Sequence, residues 1–156
     1  MRPCSHSFLF FSYVLSFVYV GIYWNNHHHL LQAATNVTGG ILWANLHLLF
    51  WLSLTPFVTG WMGENHFAPW PVALYGAVLL FAGTAYFLLT KTLIARHGKD
   101  STLAASIGND RKGALSIVVY AAAIPLSFVQ PWIACYVMVA LMGLLPDPRI
   151  EKAIGQ

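Results

Sequence analysis

Charge interrupts this chain at only a few places. Residues 3–63 contain no Asp, Glu, Lys or Arg, and residues 65–90 and 113–146 contain none either. Uncharged apolar runs of about 18 or more residues mark transmembrane helices. The strands of a membrane barrel would instead alternate apolar and polar over about 10 residues, and that alternation is absent. Backbone exposed to lipid must be satisfied within its own segment, which favours helices. The pattern predicts an all-α polytopic membrane protein with a single transmembrane domain over residues 1–156.

Five helices are expected, at about 8–31, 40–59, 71–92, 114–129 and 131–145. The turn-rich run Asn36-Val37-Thr38-Gly39-Gly40 leads into the second. Trp70-Pro71 opens the third, where proline suits a first helical turn. A polar loop, 93–113, and a tail, 146–156, carry most of the charge. The uncharged run 113–146 would be about 51 Å long as one helix, against a bilayer of about 40–45 Å with its headgroups. Gln130-Pro131 breaks it into two, and Pro125 is expected to kink the first of these.

The composition sharpens this picture. Hydrophobic residues make up 58% of the chain and charged residues 8%, whereas a soluble domain carries about 25% charged residues. A sequence pI near 9 is compatible with nucleic-acid binding, but the net charge is only +3. The basic residues lie in loops beside apolar spans, so orientation in the membrane explains them better than nucleic acid does. With five spans, Lys91, Arg96, Lys99, Arg111, Lys112, Arg149 and Lys152 share one side, and Arg2 stands on the other. The positive-inside rule makes the first side cytoplasmic, with the C-terminus inside and the N-terminus outside. The apolar run after Arg2 continues to Trp24 without a small-residue cleavage site, which predicts an uncleaved helix and not a signal peptide. Trp61, Trp70 and Trp132 are expected at the outer interface. Cys4 and Cys135 belong to different spans at opposite ends of the chain, so no disulfide is expected between them.

The polar residues within the spans carry the candidate chemistry. Tyr23-Trp24-Asn25-Asn26-His27-His28-His29 ends the first apolar run. Consecutive helical residues point about 100° apart, so the three histidines do not converge on one metal. A helical metal pair needs i,i+4 spacing, and no two histidines here have it. Polar packing between helices is the better reading. Phe17, Gly21, Trp24, His28 and Leu31 fall on one stripe with His27 at its edge, and Gly21 would allow close approach. In an antiparallel hairpin Asn45 lies at the same depth, giving a candidate hydrogen-bonded cluster of Trp24, His27 or His28, and Asn45. His47, between Trp43 and Trp51 at i−4 and i+4, reads as a packing histidine. The spans hold no Asp or Glu, which argues against a proton relay and against carboxylate-coupled transport. G-x-S-x-G, H-E-x-x-H, a phosphate-binding glycine loop and C-x-x-C are all missing, so neither an enzyme nor a cofactor is expected. The serines on the apolar helices are expected to bond to their own backbone.

The motifs Tyr23-Trp24-x-Asn26-His27-His28, Asn45-x-x-Leu48, Pro56-Phe57, Ala73-Leu74-Tyr75-Gly76 and Leu145-Pro146-Asp147-x-Arg149-Ile150-Glu151-Lys152 have a combined order and spacing. In these the chain resembles bacterial members of the endolysosomal potassium channel family, over roughly residues 12–155. The resemblance implies a six-helix subunit assembled as a homotetramer around a central pore that passes potassium. It implies a first helix, bearing Arg-x-x-x-Phe-Ser-Asp, that lines the pore. It further implies that Trp24, His28 or His27, and Asn45 are the shell that holds that helix. Phe11-Ser12-Tyr13 has tyrosine where the signature needs aspartate, and lies within the helix that ends at Trp24. The expected five helices therefore correspond to helices two to six, with the pore-lining helix lacking. Two alternatives stand beside the channel subunit. One is a non-conducting scaffold whose unpaired polar shell recruits a partner helix. The other is a histidine-based metal transporter.

Overall fold

The computed structural model describes residues 4–32, 37–97 and 111–144. These residues form five α-helices and no strand: α1 (Cys4–Gln32), α2 (Gly39–Glu64), α3 (Pro69–His97), α4 (Arg111–Val129) and α5 (Pro131–Leu144). Each helix is longer than or close to the span expected for it. Hydropathy marks the part of a helix that suits lipid, whereas backbone i→i+4 bonding carries the helix beyond it. Trp61 consequently lies inside α2 and Trp70 inside the first turn of α3. The loop expected at 93–113 falls largely outside the described residues, and the tail at 146–156 falls wholly outside them.

Among these helices, α2 and α3 are each long and apolar enough to cross a membrane, while Gly113–Val129 and Pro131–Leu141 are shorter apolar segments. The protein is an α-helical membrane protein. Central to the packing is α3, which lies against α2, α4 and α5, while α1 packs on α2. The α3 residues Val72, Tyr75, Leu79, Ala82, Leu89 and Leu93 are all buried. Both prolines inside helices are accommodated without a break: α2 runs through Pro56 and α4 through Pro125. Only Gln130 separates α4 from α5, and it keeps both ends capped. Its N–H donates to the Leu126 carbonyl at 2.8 Å, and its carbonyl accepts from Ala134 at 3.1 Å.

Helix α2 ends in a left-handed cap. The Phe67 N–H reaches the Met62 carbonyl at 3.1 Å and the His66 N–H the Gly63 carbonyl at 3.3 Å. These two bonds define a Schellman motif with His66 at the position that usually holds glycine. His66 and Phe67 have φ of 51° and 56°. Phe67 is held there because its ring packs on Trp132 at 4.5 Å between centroids. Trp70 meets Phe128 edge-on at 5.1 Å. An aromatic layer thus joins the α2–α3 turn to the α4–α5 turn. His66 is exposed, so His66→Gly is expected to stabilise the protein by about 1 kcal/mol by removing a left-handed L-residue. A fall in the thermal midpoint in detergent would contradict this.

Candidate functional site

Helix α1 carries no charged residue and is apolar nearly all round. Its buried stripe is Ser16, Tyr19, Tyr23, His27 and Leu30. The stripe expected from the sequence was the neighbouring one, and the structure turns most of it outward. Phe17 is 68% exposed and Trp24 57% exposed, and Gly21 and His28 are exposed as well. Both stripes have helical spacing, so spacing cannot choose between them. The choice falls to the residues that fit against α2 and α3. Gly21 has open space where a Cβ would stand, so it is not a point of close helix approach within the chain.

His27 is 8% exposed and faces α2. It sits five residues before the end of α1, and Asn45 six residues after the start of α2, so the hairpin brings them to one depth. His27 Nε2–H donates to Asn45 Oδ1. In the neutral ring that bond leaves Nδ1 as an acceptor. Nδ1 is buried and has no hydrogen-bond partner among the described residues. Trp24 and His28 form a separate unit, their rings stacked 5.1 Å apart and 8° from parallel. The residues expected to form one cluster, Trp24 with His27 or His28 and Asn45, form two pairs. His27, not His28, takes Asn45, and the Trp24–His28 stack is exposed. The side chain of His29 lies outside the described residues. Among the described residues, no group of three or more His, Cys, Asp or Glu side chains is placed to hold a metal.

His47 accepts a 2.8 Å hydrogen bond from Trp51 Nε1–H, one turn along α2. Trp51 in turn stacks on Phe81 of α3, 4.5 Å between centroids and 19° from parallel. His47 is exposed, with one ring nitrogen taken by the indole, and through Trp51 it adjoins an α2–α3 contact that no linear pattern pairs. Ser53, Ser127 and Thr59 bond backward to their own helix, as expected for the two serines. Ser53 donates to the Phe50 carbonyl at 2.7 Å, Ser127 to Ile124 at 2.6 Å, and Thr59 to Thr55 at 2.8 Å. Cys135 is a free thiol on the wall of a cavity of about 250 Å³, which Thr59, Met62, Phe67, Tyr75 and Trp132 also line. The buried tyrosines Tyr19 and Tyr23 of α1, Tyr75 of α3 and Tyr120 of α4 were not singled out in the sequence. Their one linear signal is the i,i+4 pair Tyr19 and Tyr23.

The fold and the polar pair within it define a polytopic helical membrane protein in which a histidine of one helix is hydrogen-bonded to an asparagine of the next. Its relatives make the assignment narrower. Residues 4–56 match the family described as endosomal/lysosomal potassium channel TMEM175. The chain is also 51% identical over 149 residues to a potassium channel from Chryseobacterium sp. (strain P1-3), covering 94% of this chain and 78% of that one. No solved structure matches. The chain belongs to the TMEM175 potassium channel family, which is a family of channels and not of enzymes.

Proposed function

We propose that this chain is a subunit of a potassium-permeable channel that assembles as a homotetramer in the cell membrane. The observation that carries the reading is the 51% identity to a bacterial potassium channel over nearly the whole chain. In this reading α1–α5 form the frame around a pore-lining helix that bears the Arg-x-x-x-Phe-Ser-Asp signature. The exposed Trp24–His28 stack and the His27–Asn45 pair behind it are the shell against which that helix rests. Buried polar groups inside a membrane normally face protein, and His27 Nδ1 is an acceptor of this kind. The basic residues orient the subunit, with the N-terminus of α1 outside and the C-terminus cytoplasmic.

The test is potassium flux into liposomes holding the purified 156-residue chain, alone and preceded by a helix with that signature. Flux is expected from the longer form and little from the chain alone. Equal flux from both would put the pore within α1–α5, and none from either would remove the channel reading. The metal-transport alternative gains no support, because His27 is committed to Asn45 and His28 is stacked on Trp24.

A further inference from the structure

Between the α2–α3 turn and the start of α5 lies the cavity of about 250 Å³ whose wall carries Cys135. Helices α2 and α5 each pack on α3, and neither packs closely on the other. The cavity is the wedge left between them. It reaches from Phe67 in the turn to Val139, eight residues into α5, about 12 Å along that helix. Thr59, Met62 and Tyr75 form its inner wall, and all three are buried. Trp132 and Tyr136, one turn apart on α5, are its most open residues, 53% and 73% exposed. In a chain that spans a membrane, an opening beside exposed indole and phenol rings near a helix end faces lipid at the interface. The turn end is shaped by Phe67, whose ring packs on Trp132 and whose φ is 56°. Left-handed backbone at a bulky residue is strain of the kind that collects at ligand clamps.

We infer that this cavity holds a segment of one acyl chain of a membrane phospholipid, which enters past Trp132 and Tyr136 and fills the wedge between α2 and α5. Water is the poorer occupant. The volume has room for several molecules at about 30 Å³ each, and each would need two to four polar partners. The wall is mostly apolar, the Thr59 hydroxyl already donates to the Thr55 carbonyl at 2.8 Å, and the Cys135 thiol is a weak partner. An ion is excluded more strongly, because no carboxylate or cationic side chain lines the cavity. Apolar molecules do enter such spaces: a dry cavity of about 150 Å³ takes up benzene. This one is larger and open on one side, so it suits a run of methylenes that continues out into the bilayer. The gain is close packing and not release from water, since lipid is as apolar as the wall. Bound there, the chain supplies the contact that α2 and α5 lack with each other.

The test places the full chain in vesicles of phosphatidylcholine that carries a diazirine midway along one acyl chain. After illumination, peptide mass mapping is expected to find the label on Met62 and Tyr75, although both are buried, as well as on exposed Phe57. Val139→Phe fills the cavity from α5. It is expected to abolish labelling of Met62 and Tyr75 and to leave that of Phe57 unchanged. Label on Phe57 without label on Met62 and Tyr75 in the unmutated chain overturns the inference, and is the result that water or a neighbouring subunit's side chain in the cavity would give. Labelling of Met62 and Tyr75 that survives Val139→Phe overturns it too. Should that variant fail to fold, the unmutated chain decides by itself.

Discussion

Asn45→Ala is expected to lower the stability of the folded protein by about 1–3 kcal/mol, the cost of leaving a buried donor without its acceptor. The donor is His27 Nε2–H, which is held against Asn45 and away from water. His27→Ala should cost a similar amount, because it strips the Asn45 carbonyl and opens a cavity beside Leu30. The sum should exceed the cost of the double variant. Hydrogen bonds between transmembrane helices show couplings that average about 0.6 and reach about 1.7 kcal/mol, so a coupling in that range is expected here. Unfolding in SDS or by steric trapping in micelles measures it. Strict additivity of the two changes would mean that the pair is not bonded in the folded protein. The equivalent cycle with His28 distinguishes the two neighbouring histidines: His28→Ala and Asn45→Ala should be independent, since the Asn45 carbonyl accepts from His27 and His28 is stacked on Trp24.

Gly76→Leu is expected to be as damaging, by a different mechanism. A Cβ at position 76 would stand 3.2 Å from Ile124 Cγ1, 3.2 Å from Met138 Cε and 3.3 Å from Met138 Sδ. Methionine can move aside, but a β-branched isoleucine on a helix has little rotamer freedom. Even Gly76→Ala therefore requires the Ile124 side chain to give by a few tenths of an ångström. Leucine adds three more carbons at a place where α3, α4 and α5 meet, and overpacking of this kind costs about 1–3 kcal/mol or more. Gly83→Ala supplies the contrast. Its nearest neighbours would lie at 3.8 and 3.9 Å, ordinary contact distances. Replacing a mid-helix glycine should then stabilise by about 0.5–1 kcal/mol. Thermal unfolding of the three variants in one detergent checks both statements. A Gly76→Leu protein as stable as the parent, or Gly83→Ala worse than Gly76→Ala, would contradict the packing described for α3.

The candidate site was partly legible in the sequence. Asn45 and the end of α1 share a depth because two helices joined by a short turn must run antiparallel, and residue counts from the turn give the register. The exact histidine was not legible. His27 and His28 are about 100° apart on α1, and the resemblance favoured His28 while the packing selected His27. Trp51 with Phe81, and Tyr23 of α1 with Tyr86 of α3, were likewise invisible, because each pairs residues from helices whose relative rotation no linear pattern specifies.

The sequence alone determined the class of protein and the order of the five helices among the described residues. Charge cannot stay in hydrocarbon at low cost, so uncharged stretches and the breaks between them map directly onto helices and turns. It also determined where helices end when special residues enforce it, as at Gln130-Pro131. What only the tertiary structure decided is which side of each helix faces its neighbours. A soluble helix declares its buried face by an apolar stripe against a polar one. In α1 and α2 the outward face is as apolar as the inward face, since lipid is the solvent on that side. Rotation about the helix axis is then set by close packing at points such as Gly76 and by a few hydrogen bonds such as His27–Asn45, and these exist only once the helices meet.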